Sequence, residues 1–282
     1  MIALIGPTAS GKSDLAIKFA LKYGYEILSL DSLSIYKEVD IASAKPLKEE
    51  LELVKHYGIN EIYPNEKFDV MKFIEIYEKI KNKKIIIVGG TSFYLKAMLS
   101  GISPMPKIDD EIKKEALKYN WEFLNDIDKE WANKIKPEDK YRISKAIEIY
   151  LATNLVPSKY FKLNPPKPII QNCDIYEIAV DRSVLRERIV KRTTKMFEMG
   201  LIDEVAYLES KYRDRTLPVL KAIGVKEVLD YFNGVYDKES LKQKIITNTA
   251  RLAKRQQTFN KTQFENKISL PLEKLEKILL NK

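Results

Sequence analysis

Residues 6–13 read Gly6-Pro7-Thr8-Ala9-Ser10-Gly11-Lys12-Ser13, which fits the pattern G-x-x-x-x-G-K-[ST]. A short apolar run, residues 1–4, precedes this stretch, and apolar residues at helical spacing follow it over residues 14–23. A strand that leads into a glycine turn and then a helix directs backbone N–H groups and the positive helix end at a phosphate. The sequence therefore predicts a phosphate-binding loop, in which Lys12 reaches the terminal phosphates and Ser13 holds Mg²⁺. A flexible glycine turn is the alternative.

The polar ends of two further predicted strands indicate the same site. Residues 26–30 are predicted to form a buried strand that ends at Asp31, and a polar loop continues from there to Pro46. Residues 84–88 are rich in β-branched side chains, which is typical of a central parallel strand, and Gly89-Gly90-Thr91 follows them. Because open parallel sheets bind ligands at the carboxyl ends of their strands, we expect Asp31 and Thr91 near the phosphate loop. The alternatives are Asp31 as a helix cap and the two glycines as a simple tight turn.

A charged segment with helical spacing interrupts the α/β pattern. Prolines at 104 and 106 precede it, and prolines at 165, 166 and 168 close it. Within it, apolar spacing predicts helices over residues 112–119, 121–131 and 141–151. The predicted fold class is α/β, a P-loop NTPase-like parallel sheet flanked by helices, with an inserted helical domain. Residues 1–106 form the first part of the core, residues 107–168 the insertion, and residues 169–282 the core completion and a basic helical region.

The chain after the insertion begins with the last predicted strand, residues 175–180. An amphipathic helix follows, in which Arg182, Arg188 and Arg192 alternate with apolar residues. We predict that these arginines share one face of the helix, and arginines on one face of a helix that leaves the site end of a sheet are placed to bind phosphate in a bidentate manner. Pairing with neighbouring glutamates on the surface is the alternative. We expect the remainder of the chain to be helical, and residues 48–57 earlier in the chain as well.

Composition argues for a globular cytosolic protein. The chain has 282 residues, of which 45% are apolar, enough for one large domain with an insertion or for two domains. It contains no apolar run of 18 residues, and its first residues enter the phosphate loop instead of a signal-peptide cleavage site. We therefore expect neither membrane insertion nor export. Cys173 and His56 are each the only residue of their type, which excludes the usual Cys/His zinc sites, so any metal should be a hard ion bound by oxygen.

The net charge of +9 is concentrated in one part of the chain. Residues 1–181 carry 27 Lys/Arg and 27 Asp/Glu, whereas residues 182–282 carry 22 Lys/Arg and 13 Asp/Glu. The last segment is therefore the preferred candidate for contact with a polyanion. A solvated basic surface is the other interpretation of the same charge.

Four stretches of the chain together resemble the tRNA dimethylallyltransferases. The first is the phosphate loop, and the second runs from Asp31-Ser32 through Tyr36 and Asp40-Ile41 to Ala44-Lys45-Pro46. The other two are Val88-Gly89-Gly90-Thr91 with Tyr94 and Lys96, and Ala222-Ile223-Gly224 with Lys254-Arg255-Gln256. The chain departs from the family's usual Tyr, Trp, Gln and Arg at Val225, Phe259, Tyr141 and Lys145. These departures concern the tRNA contacts and leave the fold assignment intact.

The resemblance implies transfer of a dimethylallyl group from dimethylallyl diphosphate to N6 of adenosine 37 in tRNA, by a monomer. It implies that the loop holds the diphosphate of the donor, where Lys12, Arg192 and Mg²⁺ near Ser13 stabilise the leaving group. Thr8 would lie close to the bridging oxygen. Asp31 would accept a proton or a hydrogen bond from the adenine amine, which is a poor nucleophile without such help.

The target adenine must leave the stacked anticodon loop before it can react. Following the family, we expect two sets of residues to line the path of the RNA. The first set lies in the core and comprises Asp31, Ser32, Leu33, Ser34 and Thr91. The second set lies in the insertion and comprises Lys114, Tyr141, Arg142, Ile143, Ser144 and Lys145.

Three rival functions stay open from the sequence. A P-loop small-molecule kinase would share the fold but consume ATP. An adenylate isopentenyltransferase would prenylate free AMP, ADP or ATP, but it would leave the insertion and the basic carboxyl-terminal third without a role. An RNA-binding protein with a vestigial loop is opposed by the intact Lys12, Ser13 and Asp31.

Overall fold

The computed structural model describes residues 1–281, and the chain divides into two compact units. The first unit comprises Met1–Ala97 and the chain from Gln171 onward. The second unit comprises Met98–Ile170 and contains all of residues 107–168, the segment that the sequence predicts as an insertion. The predicted domain bounds themselves stay a prediction.

A six-stranded parallel sheet organises the first unit. Its strands are β1 (Ile2–Ile5), β2 (Glu26–Ser29), β3 (His56–Tyr57), β4 (Ile85–Gly89), β5 (Asp174–Ile178) and β6 (Lys267–Leu270). Their order across the sheet is β3-β2-β4-β1-β5-β6, and every neighbouring pair is parallel. Every residue of β1 and β4 is buried, as expected for strands covered on both faces. The predicted central position of β4 is therefore confirmed.

The helices follow the strands along the chain in the alternating pattern of an α/β fold. In chain order they are α1 (Lys12–Tyr23), α2 (Lys48–Leu53), α3 (Val70–Ile80), α4 (Ser92–Ser100), α5 (Asp110–Ala116), α6 (Trp121–Ile127), α7 (Lys129–Ala132), α8 (Lys140–Thr153), α9 (Pro157–Leu163), α10 (Arg182–Glu198), α11 (Leu201–Tyr212), α12 (Val225–Phe232), α13 (Lys238–Gln263) and α14 (Leu272–Leu280). Residues Pro218–Lys221 form a short 3-10 helix.

Apolar residues of α1 and α14 pack on the sheet. Leu15 and Phe19 of α1 and Leu275 of α14 are buried in one cluster with Leu4 of β1 and Ile86 of β4. The helix after the phosphate loop was predicted from this spacing of apolar residues along α1. Packing here fixes the start of α1 relative to the end of β1, and the loop between them is thereby held at the carboxyl edge of the sheet.

Two sequence predictions for the first unit are wrong. The helix predicted over residues 48–57 ends at Leu53, and His56–Tyr57 forms the edge strand β3. The chain after α13 is not all helical, because Lys267–Leu270 pairs with β5 as the opposite edge strand. Both strands are short and only partly buried, so neither has the apolar run that would distinguish it from its surroundings.

The second unit has its own apolar core, in which Leu124, Ile143 and Ile147 are buried and Trp121 packs against them. The single helix predicted over residues 121–131 is wrong, because Asp128 divides it into α6 and α7. The Asp128 carboxylate accepts the Trp131 N–H at 3.0 Å and the Ser158 N–H at 2.7 Å. It therefore caps α7 and binds the start of α9 at the same time.

None of the helices formed by residues 1–281 combines the length and the apolar character that a bilayer requires.

Candidate functional site

The phosphate loop has the geometry of an anion site. Ala9 and Gly11 adopt positive φ angles of 62° and 91°, and Ser10 donates to the Pro7 carbonyl oxygen at 3.3 Å. Gly11 precedes α1 and supplies no capping side chain, so the first N–H groups of the helix are left for a ligand. A free helix start next to a turn of this kind favours a phosphate, and the predicted strand–loop–helix is confirmed as a structure.

Lys12 is held inside this loop. Its Nζ donates to the Pro7 carbonyl oxygen at 3.2 Å. The pKa of Lys12 is lowered to about 8, mainly by burial. The carboxylate of Asp31 opposes this shift, and the positive charge of Arg192 contributes to it. A buried ammonium group with a lowered pKa gains by pairing with an anion, because the anion replaces the solvation that burial removed.

Two arginines of α10 reach the loop. Arg192 Nη1 donates to Thr8 Oγ1 at 2.9 Å, and its Nη2 approaches the Ser43 carbonyl oxygen at 3.5 Å. Arg188 Nη1 donates to the Ser10 carbonyl oxygen at 3.0 Å. Burial lowers the pKa of Arg192, and the nearby Asp31 carboxylate raises it. Both guanidinium groups therefore add positive charge at the loop.

The third arginine that the sequence grouped with these, Arg182, lies elsewhere. It lines a separate groove between α10 and α13. Since an α-helix has 3.6 residues per turn, the four-residue step from Arg188 to Arg192 keeps one face, whereas the six-residue step from Arg182 does not. The prediction that all three arginines share one face is therefore wrong.

Asp31 follows β2 at the same edge of the sheet. Its Oδ1 accepts the N–H groups of Leu33 at 2.9 Å and of Ser34 at 3.1 Å. No hydrogen bond to its Oδ2 is found within residues 1–281. Asp31 thus holds a turn and does not cap a helix, since the next helix begins at Lys48. Its second oxygen is available to a ligand.

Two cavities adjoin the loop. The first, of about 380 Å³, is lined by Thr8, Lys12, Asp31, Thr91 and Arg192 among others. The second, of about 530 Å³, is lined by residues on the outer side of the loop, including Arg188 and Lys45. Both cavities share Lys12, Ser13, Ala44, Pro46, Arg192 and Met196. The loop and its cationic residues therefore form the boundary between the two cavities.

Glycines are required at the end of β4, because other parts of the chain approach the backbone closely there. A Cβ at Gly89 would come within 2.4 Å of the Leu30 carbonyl oxygen, and one at Gly90 within 2.8 Å of Gln256 Nε2. Thr91 Oγ1 accepts the Ser32 N–H at 3.4 Å. The absence of side chains therefore lets the ends of β2 and β4 and helix α13 meet at the first cavity.

Gln256 is a site residue to which the sequence gave no role. Its Oε1 accepts the Thr8 N–H at 2.8 Å, and its Nε2 donates to the Gly90 carbonyl oxygen at 2.9 Å. One amide thereby joins α13 to the phosphate loop and to the end of β4. The only sequence signal was its place in the Lys254-Arg255-Gln256 stretch.

Glu204 of α11 is a second residue that the sequence did not single out. Its carboxylate accepts the N–H groups of Asp40 and Ile41, each at 2.7 Å, and of Ala42 at 2.9 Å. Successive N–H groups that converge on one carboxylate form a backbone nest, and such charge-assisted bonds are strong. The turn continues into Ala42–Ala44, which line the first cavity, so Glu204 fixes part of the cavity wall.

Replacing Glu204 by Ala should loosen this turn. We expect the amides of Asp40, Ile41 and Ala42 to exchange with solvent faster by about tenfold or more, because each loses its charged acceptor. Hydrogen exchange measured by mass spectrometry or NMR reports this. Asp203→Asn is the matched control, because Asp203 is the exposed neighbour on the same helix turn, and it should leave these amides unchanged. Unaltered exchange in the Glu204→Ala variant would contradict the assignment.

The predicted residues of the second unit differ in their surroundings. Tyr141 is 72% exposed, Arg142 pairs with Asp139 at 3.0 Å, and Lys114 is exposed. Ser144 and Lys145 both donate to the buried carboxylate of Glu148. Ile143 is 3% exposed and its side chain packs in the core of the unit instead of facing solvent. Their predicted contacts with RNA stay predictions.

Ser13 is the predicted metal residue. It is exposed and lines both cavities, and its hydroxyl has no hydrogen bond to residues 1–281. Within the described part of the chain there is no group of three or more His, Cys, Asp or Glu residues that could hold a metal by themselves. Mg²⁺ is usually bound by few protein ligands together with water and phosphate oxygens, so this donor set fits it only in company with a phosphate ligand.

Comparisons with known proteins give one consistent result. A family model described as "IPP transferase" matches residues 34–263. A protein of Nautilia profundicola called tRNA dimethylallyltransferase is 74% identical over all of this chain and 99% of its own length. One of the same name from a Sulfurovum species is 53% identical over 99% of this chain and 97% of its own length.

Solved structures resemble the chain over its whole length. The tRNA isopentenylpyrophosphate transferase of Bacillus halodurans has a TM-score of 0.71 and 28% identity, covering 99% of this chain and 94% of its own. A eukaryotic dimethylallyltransferase acting on tRNA has a TM-score of 0.86 over all of this chain and 76% of its own, at 22% identity. The second likeness concerns the fold alone.

Proposed function

This chain belongs to the family of tRNA dimethylallyltransferases, and on that premise we propose that it transfers the dimethylallyl group of dimethylallyl diphosphate to N6 of adenosine 37 in tRNA. In this reaction the bond between the allylic carbon and the bridging oxygen breaks, and a bond from that carbon to N6 forms. Diphosphate leaves with the electron pair, and one proton leaves the amine. The observation that carries the proposal is that Lys12, Arg192 and Asp31 line one cavity.

The phosphate loop binds the diphosphate in this proposal. Lys12 and Arg192 place two positive charges at the loop, and the first N–H groups of α1 add the positive end of a helix. Cleavage of the carbon–oxygen bond builds negative charge on the leaving group. Groups that are already in place before this charge appears lower the barrier, because they need no reorganisation during the reaction.

Thr8 acts on the bridging oxygen. Its Oγ1 accepts a hydrogen bond from Arg192 Nη1, so the hydroxyl hydrogen remains free to donate. A donor held in this way stabilises the oxygen that takes up the electron pair. Arg192 therefore has two tasks, one through its charge and one through the orientation of Thr8.

Asp31 receives the proton from the adenine amine. The two N–H groups on Oδ1 fix the orientation of the carboxylate, and Oδ2 is left as the acceptor. A positioned carboxylate within hydrogen-bond reach increases the nucleophilicity of an amine that is conjugated to a purine.

Mg²⁺ fits the site together with the diphosphate. The free hydroxyl of Ser13 would hold it from the protein side, and oxygens of the diphosphate and water would complete its ligands. Bound there, the ion would supply further neutralisation of the leaving group. The chain's own part is to present Ser13 at the first turn of α1, next to Lys12.

The adenine enters the cavity as an extruded base. Ser32, Leu33, Ser34 and Thr91 surround Asp31 on the cavity wall or close to it, and they are the proposed contacts for the base and its neighbours. The predicted residues of the second unit are proposed to bind the anticodon region, and Tyr141, Arg142 and Lys114 are the exposed ones among them. We also propose that the enzyme acts as a monomer, as the resemblance to the family implies.

Label transfer tests the proposed substrate. The protein is incubated with Mg²⁺, labelled dimethylallyl diphosphate, and either unmodified tRNA or AMP, and the modified nucleotide is located in the product. We expect label in tRNA at adenosine 37 and none in AMP. Label in AMP would favour an adenylate isopentenyltransferase. Failure with both acceptors, together with phosphate transfer from ATP to a small molecule, would favour a kinase.

The pKa of Lys12 predicts how diphosphate binding depends on pH. Burial lowers the pKa of Lys12 to about 8, and its ammonium group must be charged to pair with an anion. Affinity for inorganic pyrophosphate should therefore be retained below pH 8 and fall by up to about tenfold per unit above it. Calorimetry at pH 7, 8 and 9 measures this. Lys12→Met is the control, since it should bind weakly at pH 7 and show a flatter profile. Equal slopes in the two proteins would contradict the prediction.

A further inference from the structure

One segment without regular secondary structure forms part of the wall of both cavities. It comprises residues 36–46, which form no helix and no strand. Ala44 and Pro46 line both cavities, Ser43 lines the first, and Asp40 lines the second. The 36–46 segment is therefore a shared wall, although it lacks the repeated backbone hydrogen bonds that fix a helix or a strand.

Two residues of the 36–46 segment have backbone angles that side chains disfavour. Glu38 has a φ angle of 65° and Ala44 one of 47°. Residues with a Cβ atom rarely adopt positive φ, and neither Glu nor Ala has the short polar side chain that lets Asn or Asp tolerate it. Such a conformation persists only when the surroundings fix it. The shape of the segment must therefore be imposed by contacts with its side chains and its neighbours.

Lys45 supplies three of these contacts through one ammonium group. Its Nζ donates to the Tyr36 carbonyl oxygen at 2.6 Å, to Asp40 Oδ1 at 2.7 Å and to Asn60 Oδ1 at 2.7 Å. The side chain is only 3% exposed. An ammonium group has three hydrogens, and each of them has its own acceptor here. Lys45 therefore joins the start, the middle and the end of the segment to one another and to the turn at Asn60.

Helix α11 fixes the same segment from outside. Glu204 accepts the N–H groups of the turn that begins at Asp40. The carboxylate of Glu38, one of the two residues with positive φ, accepts hydrogen bonds from Lys211 Nζ at 2.5 Å and from the Tyr212 hydroxyl at 2.8 Å. Asp40 is thus bound to α11 through its N–H and to Lys45 through its carboxylate, so the contacts from the two directions meet at one residue.

The 36–46 segment acts on the site through Arg192. The Ser43 carbonyl oxygen lies 3.5 Å from Arg192 Nη2, while Nη1 donates to Thr8 Oγ1. Ser43 is itself held by the segment, since its Oγ donates to the Val39 carbonyl oxygen at 2.5 Å. A guanidinium group is planar, so contacts at two of its nitrogens fix its plane as well as its position. A shift of the segment would therefore turn the group that carries charge at the phosphate loop.

We propose that Lys45 is a positioning residue for the prenyl transfer, because it holds the 36–46 segment in the shape that orients Arg192 towards Thr8 and the leaving diphosphate. The inference rests on the proposed function, since it takes transfer from dimethylallyl diphosphate as the reaction. Lys45 lines the second cavity, but its ammonium group is directed at three protein oxygens and has no hydrogen left for a ligand. It therefore acts through the segment and not on the reacting atoms.

The first test replaces Lys45 by Met, which removes the three hydrogen bonds and keeps a long side chain. We expect kcat for transfer to tRNA to fall about ten- to hundredfold, as for a small displacement of a group that orients the reactants. The dissociation constant for inorganic pyrophosphate should stay within about threefold, because Lys12 and the first N–H groups of α1 remain in place. Lys48→Met is the matched control and should change neither value, because Lys48 lines neither cavity and its side chain is 86% exposed.

A double-mutant cycle with Arg192→Gln tests the route of the effect. If Lys45 acts through Arg192, the loss of kcat caused by Lys45→Met should shrink to about threefold or less once Arg192 has been replaced. Losses that multiply in the double variant would overturn the proposal, because Lys45 would then act independently of Arg192.

Asn60 offers a milder change to the same contacts. Asn60→Asp keeps an oxygen acceptor for Lys45, whereas Asn60→Gly removes it and tolerates the φ angle of 56°. Asn60 lines neither cavity. We expect Asn60→Asp to keep the wild-type kcat and Asn60→Gly to lower it about three- to tenfold, as for the loss of one hydrogen bond to a charged group. This pair decides the question if Lys45→Met fails to fold, since equal kcat in the two variants would overturn the proposal.

Two further results would contradict the positioning role. One is wild-type kcat in a folded Lys45→Met variant. The other is a large loss of pyrophosphate affinity with unchanged kcat, which would make Lys45 a direct ligand of the diphosphate. If the wild-type protein transferred no label to tRNA, the proposed function itself would fail. Normal transfer by the wild type together with either contradicting result would be a failure of this inference alone.

Discussion

Replacing Asp31 by Ala is expected to lower kcat for transfer to tRNA by about 10²-fold or more, the range for positioned acid–base groups. The adenine amine would lose the acceptor that takes its proton. The loss should appear in kcat more than in the KM for dimethylallyl diphosphate, because Lys12 and the loop that bind the diphosphate remain. Single-turnover assays with labelled donor at saturating tRNA measure this directly.

The variant Asp31→Asn separates the chemical role from the structural one. Asn can still accept the N–H groups of Leu33 and Ser34 through its amide oxygen, so the turn should persist. It cannot take up a proton at pH 7, and its kcat should fall about as far as that of Asp31→Ala. Wild-type turnover in Asp31→Asn would show that the carboxylate only holds the turn.

Replacing Arg192 by Gln is expected to lower kcat by about 10² to 10³-fold, as for the removal of one preorganised group that stabilises developing charge. The side chain is the only one from α10 that both adds charge to the first cavity and binds the Thr8 hydroxyl within the described residues. Its loss therefore weakens the neutralisation of the diphosphate and releases Thr8 from its orientation.

Lys191→Gln is the matched control for this experiment. Lys191 is the exposed neighbour of Arg192 on the same helix, it lines neither cavity, and its removal changes the net charge equally. Its kcat should match the wild type. If Arg192→Gln and Lys191→Gln had the same small effect, the stabilisation of the leaving group would have to come from other residues.

The sequence predicted the parts of the fold that depend on local pattern. The phosphate loop, the apolar residues 1–4 before it and the apolar spacing after it are adjacent in the chain, so β1 and α1 could be placed before the structure was known. The β-branched run gave β4 its central position for the same reason. The edge strands β3 and β6 could not be found, because they exist through pairing with a neighbour and carry little apolar pattern of their own.

The residues of the site also fall into two groups, those that the local sequence predicts and those that it does not. Lys12, Asp31 and Arg192 were predicted from the ends of strands and the spacing along a helix, and they line one cavity. Gln256 and Glu204 were not, because their bonds join residues that are 248 and 162 positions apart. Nothing in the local sequence distinguishes a glutamate that binds a distant turn from one that pairs on the surface. The prediction for Arg182 is wrong for a simpler reason, because helix geometry alone excludes this residue from the face that carries Arg188 and Arg192.

The structure was also needed to show where the basic residues after residue 181 lie on the surface. The charge alone allowed two interpretations, a surface that binds a polyanion and a basic surface that faces solvent. The groove between α10 and α13 favours the first interpretation for that part of the surface, because four cations and no acidic residue line it: Arg182, Arg186, Arg251 and Lys254. Elsewhere, as on α3, lysines are paired with a glutamate on the same helix, and such exposed pairs contribute little.

The position of the bound donor tests the whole account most directly. A crystal structure with an unreactive thiol analogue of dimethylallyl diphosphate and Mg²⁺ would locate the phosphorus atoms and the allylic carbon. We predict that the phosphorus atoms lie within the phosphate loop in contact with Lys12 and Arg192, and that the allylic carbon faces the cavity next to Asp31. Phosphorus atoms bound away from Lys12, or an allylic carbon on the far side of the loop from Asp31, would contradict it.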